Sequence, residues 1–207
     1  CHRYHPGITL ATTSLNRLIT SWQMYSSSSP SNVHETRRRR SYWQGLDSVC
    51  AVFFLAMEQN EIETFAMFRF WTDSLMEVRL YVSEQDAKGV YGENSLRVDQ
   101  QMPLVMDELA FYDPELFSHL AKKQEMDPKW FLLPWILTGF AHGVLPIGDT
   151  LLRLFDWFMV GKVTVVDVSM AVLVEMREVM LRLNDSGDVK MFLSRLPAMS
   201  PDALVDE

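Results

Sequence analysis

Apolar residues recur along most of the chain at every third or fourth position, which is the spacing of one helix face. The clearest stripe lies in residues 46–57 and predicts a strongly amphipathic helix. Residues 15–22 predict a shorter helix, and residues 62–78 predict a second long one. A further helix is predicted over residues 98–109, weakened or kinked by Pro103 because proline lacks the backbone N–H.

Two Asp-Pro pairs in the second half of the chain indicate helix starts. At residues 113–114 and 127–128, an aspartate in the N-cap position precedes a proline in the first helical position. These pairs predict helices over residues 115–123 and 129–142, with a kink in the second helix at Pro134.

The last part of the chain also predicts helices. One starts at residues 148–150 and ends before Gly161, since glycine commonly terminates helices. Residues 163–183 begin with valines that alone favour a strand, but their longer periodicity favours a helix. Short helices are expected over residues 188–195 and after residues 200–202. Because no Asn-Gly or Asp-Gly hairpin signal occurs, we predict an all-α, multi-helix domain with no significant sheet.

Composition agrees with one well-packed domain. The chain has 207 residues, of which 48% are hydrophobic and 12% aromatic, and we expect a single domain over residues 1–207. Residues 26–40 differ, since a run of serines precedes four arginines at 37–40, and they predict a flexible polar insertion. The arginine run is either a solvated loop or a contact with an acidic partner or anionic membrane. The net charge of −8 argues against nucleic acid as the main partner.

Cysteine usage and motif content exclude several kinds of site. Cys50 lies on an apolar helix face, so a buried free thiol and a reducing, intracellular compartment are expected. The potential metal ligands at residues 1–5 have poor chelating spacing and no second cluster follows, so no metal site is expected. No glycine-rich phosphate loop, nucleophile elbow or His-Glu-x-x-His motif occurs, and no apolar run is long enough to span a bilayer.

The best candidate for chemistry lies at the start of the clearest helix. Residues 40–48 join the polar segment to this helix, and Gln44 falls just before its apolar stripe. A neutral amide near a helix N-terminus can orient a water molecule or contact a phosphate. The same amide can instead have only a capping or structural role.

Residues 42–45, Tyr-Trp-Gln-Gly, resemble the Tyr-x-Gln-Gly motif of TBC domains, which activate Rab-family GTPases. Four later blocks agree in order and spacing with that family. They are the Asp-Pro-Glu-Leu of residues 113–116, the Pro-Trp-x-Leu-x-x-Phe of residues 134–140, the Arg-x-x-Asp of residues 153–156 with Phe155 where tryptophan is usual, and the closing helix of residues 192–197. Within the family, the Gly-Leu-Asp-Ser after Gln44 and the opening Cys-His-x-Tyr are most similar to TBC-domain-containing kinase-like proteins.

The resemblance implies a GTPase-activating domain that is not itself an enzyme and whose partner is a Rab-family small GTPase. Gln44 would be the glutamine finger that orients the attacking water. Tyr42 would support the loop and approach the GTPase switch region, and Trp43 would contact the GTPase or support the loop. Asp47 is expected to cap its own helix rather than touch the partner.

The remaining implications concern the later motif and the cellular setting. Arg153 and Asp156 stand three residues apart, where a local ion pair is expected, and the family places this block near the catalytic groove. The domain needs no cofactor of its own, because the GTPase holds GTP and Mg. The resemblance further implies a cytoplasmic protein of vesicle trafficking that reaches endomembranes only through the Rab.

One part of the family pattern falls outside the chain. The arginine finger belongs to an Ile-x-x-Asp-x-x-Arg motif immediately before the Cys-His-x-Tyr start, and the chain begins at Cys1. Losing such an arginine costs about 10³ to 10⁵ in rate, or roughly 4 to 7 kcal/mol. The chain by itself is therefore expected to be a weak or inactive activator. The alternative function is a non-catalytic TBC-fold Rab effector or scaffold.

Overall fold

The structure, a computed structural model, describes residues 6–27, 42–76 and 98–204. Within these ranges the regular elements are helices and no strand occurs, which confirms the predicted all-α class. The α-helices are α1 (Pro6–Ser27), α2 (Leu46–Ala56), α3 (Glu61–Phe70), α4 (Val98–Tyr112), α5 (Pro114–Phe117), α6 (Lys129–Thr138), α7 (Asp149–Met159), α8 (Val165–Glu175), α9 (Arg177–Arg182) and α10 (Ser186–Ser194). Helix α3 continues as a π-helix (Trp71–Met76), α5 continues as another (Ser118–Lys123), and a 3₁₀ turn (Pro201–Ala203) follows α10.

Helix α6 is the central element of the described fold and packs against α2, α4, α8 and α10. Its sequence is apolar on nearly every side, as expected for a helix surrounded by other helices. Phe131, Leu132, Trp135 and Ile136 are fully buried. The indole Nε1 of Trp135 donates to the carbonyl oxygen of Leu193 at 3.1 Å, which ties α6 to α10.

Helix α6 is shorter than the predicted helix over residues 129–142. It ends at Thr138 because Gly139 (φ +55°) and Phe140 (φ +68°) both adopt left-handed conformations. A Cβ atom at Gly139 would lie 3.2 Å from the ring of Trp71, so the backbone approaches this ring as closely as a glycine allows. The chain therefore turns where the core requires a close contact.

An aromatic cluster joins α2, α3 and α7 in the core. The rings of Trp71 and Phe155 stack with centroids 4.7 Å apart, and Phe53 packs edge-on against both. Phe155, which stands where tryptophan was expected, is 3% exposed. This cluster anchors α2, whose N-terminal end follows Gln44.

Several predicted boundaries are wrong. Helix α1 continues through Ser27, so the first two residues of the predicted insertion at 26–40 are helical, and the others lie outside the described residues. The predicted helix over residues 62–78 is present as α3 and its π-helical continuation, of which Thr64 and Phe68 are buried and Ile62 is 83% exposed. The predicted helix over residues 163–183 is two helices, α8 and α9, separated at Met176.

The N-cap side chain bonds to the helix at the starts of α3, α5, α8 and α10, whereas the N-cap residues of α2, α6, α7 and α9 make no such bond. At α6 the residue before the N-cap, Asp127, accepts from the backbone N–H of Lys129 at 2.9 Å. The Asp113 carboxylate accepts from the backbone N–H of Leu116 at 3.0 Å, as predicted for α5. At α8, the side chains of Thr164 and Asp167 form a reciprocal capping box that the prediction missed. This cap explains why the valine-rich segment that follows is helical. Pro103 lies inside α4, which continues past it to Tyr112.

Candidate functional site

Gln44 lies in the turn immediately before α2. Gly45 has a φ of +93°, and its carbonyl oxygen accepts hydrogen bonds from the backbone N–H groups of Ser48 and Val49 at 3.1 and 3.2 Å. Helix α2 therefore starts directly after Gly45, which occupies the N-cap position. Gln44 is exposed, and its amide makes no hydrogen bond to any described residue. The amide thus has no capping role at α2 and is available to a ligand in solvent.

Tyr42 and Asp47 bridge this turn from its two ends. The Tyr42 hydroxyl donates to Asp47 Oδ1 at 3.0 Å. Partial burial, followed by the hydrogen bond to Asp47 and the charge of that carboxylate, raises the pKa of Tyr42. The prediction that Asp47 caps α2 is wrong, because Asp47 lies inside the first helical turn and no side chain caps α2. Asp47 instead closes the turn around Gln44.

Trp43 connects the turn to the core through its indole ring. Its indole Nε1 donates to the carbonyl oxygen of Leu137 at 3.3 Å, near the end of α6. Its ring meets the ring of Trp22 edge-on, with centroids 6.0 Å apart. Of the two roles predicted for Trp43, these contacts favour support of the loop.

Sequence reasoning missed the contact between Ser48 and His142, which lies between the first turn of α2 and the loop after α6. His142 Nδ1 lies 2.9 Å from Ser48 Oγ, across 94 positions of sequence. A Cβ atom at Gly45 would lie 3.1 Å from the His142 ring and 2.5 Å from Thr138 Cγ2. Ser48 could have been singled out from the sequence, because it lies one helical turn after Gln44. His142 gave no signal, since it was assigned to a helix end and lies instead in the loop after α6.

A cleft of about 660 Å³ opens beside the first turn of α2. Asp47 and Ser48 line one side, the loop of residues 141–147 lines another, and Arg195 lies near the end of α10. The lining combines apolar surface with a carboxylate, a hydroxyl, an imidazole and a guanidinium. This concave surface begins within one helical turn of Gln44.

Arg153 and Asp156 occupy exposed positions on α7. The predicted ion pair between them is wrong, because no salt bridge joins them in the described part of the chain. Neither forms a hydrogen bond with the described residues of the 42–48 turn. The structure thus brings Tyr42, Gln44 and Asp47 together in one turn, and among the described residues no hydrogen bond or ion pair joins Arg153 or Asp156 to that turn.

The described residues contain no group of three His, Cys, Asp or Glu side chains placed to hold a metal ion. The potential ligands at residues 1–5 and the arginines at 37–40 lie outside the described ranges. Across the described helices, none combines the length and apolar character that a membrane span needs.

The Rab-GTPase-TBC domain model matches residues 14–181, which is most of the chain and includes the whole turn around Gln44. The chain belongs to this RabGAP-TBC family. The resemblance inferred from residues 42–45 and the later blocks is therefore confirmed at the level of the family.

Several curated relatives carry the name TBC domain-containing protein kinase-like protein. One in Dictyostelium discoideum is 27% identical over 210 residues, covering 100% of this chain and 18% of the relative. Those in Gallus gallus and Homo sapiens are each 27% identical over 167 residues, covering 80% of this chain and 17% of the relative. The chain thus spans less than a fifth of the length of these relatives.

Proposed function

We propose that this TBC domain accelerates GTP hydrolysis by a Rab-family GTPase, with Gln44 as the amide that orients the attacking water. The main support is the contrast between Gln44 and its neighbours. Trp43 is tied to α6 and Tyr42 is tied to Asp47, whereas the Gln44 amide faces solvent without a described partner. A rigid backbone that presents a free amide suits the positioning of a water molecule in a complex.

The other site residues have supporting roles in this proposal. Tyr42 and Asp47 hold the turn, and Tyr42 also borders the surface that a GTPase would cover, since 45% of it is exposed. Arg153 and Asp156, which are exposed on α7 and form no ion pair with the described residues, offer their charges to the partner. GTP and Mg are held by the GTPase, so this domain supplies no cofactor.

Water orientation is one half of the catalysis that the family performs in trans. Charge developing on the phosphate oxygens must also be neutralised, and the family supplies an arginine for this from an Ile-x-x-Asp-x-x-Arg motif. The proposal assigns only the amide to the 42–48 turn. It places the protein in vesicle trafficking, at cytoplasmic membrane faces that it reaches through the Rab.

Single-turnover GTP hydrolysis across a panel of GTP-loaded Rab GTPases tests the proposal. The full-length gene product is compared with the 207-residue chain and with the Gln44→Ala variant of each. We expect Gln44→Ala to lower the stimulated rate by about 10² to 10³, as for other groups that act in the transition state. The affinity for the GTP-loaded Rab should change little, because the amide acts by orienting the attacking water.

Gln59→Ala is the matched control. Gln59 is exposed just beyond the opposite end of α2, so its loss should leave the stimulated rate unchanged. If the Gln44→Ala variant binds a GTP-loaded Rab and stimulates its GTP hydrolysis as fast as the wild type does, Gln44 has no catalytic role. Wild-type protein that binds a GTP-loaded Rab without accelerating its hydrolysis would favour the second candidate, a non-catalytic Rab effector or scaffold.

A further inference from the structure

The turn that carries Gln44 rests on a chain of hydrogen bonds that leads into α6. Thr138 is 1% exposed at the end of this central helix. Its hydroxyl donates to the carbonyl oxygen of Pro134 at 2.7 Å and accepts from the backbone N–H of His142 at 3.2 Å. These two bonds tie the backbone of His142 to the buried end of α6.

His142 in turn contacts the start of α2 at two points. Its Nδ1 is hydrogen-bonded to Ser48 Oγ at 2.9 Å, and its Cβ and Cγ atoms lie so close to Gly45 that a Cβ added there would be 3.1 Å from each. Gly45 directly follows Gln44, and Ser48 lies one helical turn beyond it. Because α2 has no side-chain cap, these contacts replace a local cap in fixing where the helix begins.

We propose that His142, acting through Ser48, is a positioning residue for Gln44. This inference rests on the proposed function, since it assumes that the Gln44 amide orients the attacking water. Neither residue needs to touch GTP. Their hydrogen bond holds the first turn of α2, and with it the backbone of Gln44, at a fixed distance from α6. A displacement of about 1 Å at a reacting group can cost up to about 10² in rate, so this support is needed for full activity.

The experiment measures single-turnover hydrolysis at increasing concentrations of the full-length gene product, using the Rab that responds most strongly in the panel. We expect Ser48→Ala and His142→Ala each to lower the maximal rate about tenfold, with less than about a twofold change in the half-saturating concentration. The double variant should be no slower than the slower single variant, because both changes break one hydrogen bond. His142→Asn should restore most of the rate, since the asparagine amide lies where Nδ1 was.

A second background distinguishes positioning from general loss of structure. If Ser48 acts through the Gln44 amide, Ser48→Ala should have no further effect on the rate once Gln44→Ala has removed that amide. Ser186→Ala, an exposed serine in the first turn of α10, is the control and should leave the rate unchanged. Far-UV circular dichroism and urea unfolding establish that each variant is folded.

The outcomes separate the two proposals. If Gln44→Ala lowers the rate and Ser48→Ala and His142→Ala do not, the positioning role is wrong and the proposed function stands. If the effects of Ser48→Ala and His142→Ala multiply, or persist in the Gln44→Ala background, the residues act independently and the inference is also wrong. If Gln44→Ala leaves the rate unchanged, the proposed function fails and the positioning role fails with it.

Discussion

Replacement of Gly45 by alanine would test how tightly the turn around Gln44 packs against α6. The Cβ atom of the alanine would lie 2.5 Å from Thr138 Cγ2 and 3.1 Å from the His142 ring, at a φ of +93°. The left-handed conformation costs an L-residue about 1 to 2 kcal/mol, and overpacking of a tight contact costs about 1 to 3 kcal/mol more. We therefore expect the free energy of unfolding to fall by about 2 to 5 kcal/mol in total.

Gly143→Ala is the control, because Gly143 also has a left-handed backbone but an added Cβ there would collide with nothing. Gly143 has a φ of +70°, and an added Cβ would meet no atom within 4 Å. Its replacement should cost only the conformational part, about 1 to 2 kcal/mol. Thr138→Ser removes the methyl group that Gly45→Ala would strike and keeps the hydroxyl that binds Pro134 and His142. In that background, Gly45→Ala should cost less than in the wild type.

Urea unfolding of the wild type, the three single variants and the Thr138→Ser/Gly45→Ala double variant, followed by tryptophan fluorescence and far-UV circular dichroism, gives the required free energies when the m-values agree. The difference between Gly45→Ala and Gly143→Ala measures the collision with Thr138. Equal costs for the two glycine variants would show that the turn does not pack closely on α6. A cost of Gly45→Ala that is unchanged by Thr138→Ser would refute the assignment of the collision to the methyl group.

Two further predictions concern stability. Thr164→Ala removes one half of the capping box of α8 and should lower the free energy of unfolding, measured in urea, by about 1 kcal/mol. The control is Thr20→Ala at an exposed position, which should change the free energy of unfolding by less than about 0.5 kcal/mol. Burial, and secondly the charge of Asp47, raises the pKa of the Cys50 thiol to about 12, whereas the unfolded thiol titrates near about 8.5. The unfolded state alone loses this proton above about pH 8.5, so stability should fall as the pH rises toward about 12. Cys50→Ala should remove this part of the fall, and an identical pH dependence in wild type and variant would contradict the assignment.

Local signals predicted most of the helices. The stripe in residues 46–57 marks α2, the Asp-Pro pair at 113–114 marks the start of α5, and Gly161 follows α7 as its left-handed stop. These features depend on residues a few positions apart, whose spacing and hydrogen bonds act within one helical turn. They can therefore be read without knowing what the helix packs against.

The wrong predictions share a dependence on distant contacts. Residues 139–142 leave the helical path where Gly139 meets the ring of Trp71, which lies on another helix. Asp47 accepts a hydrogen bond from Tyr42 instead of capping α2. In each case the residue type permits several partners, and the packing of other helices selects one.

By itself, the sequence determined the all-α class, the place of Gln44 just before α2 and the ordered motifs that identify the RabGAP-TBC family. Each of these depends on periodicity or on the order of short blocks, which the chain carries in its own spacing. Only the tertiary structure decided that Ser48 meets His142 and that Gly45 packs against Thr138. Ser48 and His142 are 94 positions apart. Their contact exists because α6 ends where its following loop can turn back onto α2, and no local pattern encodes that approach.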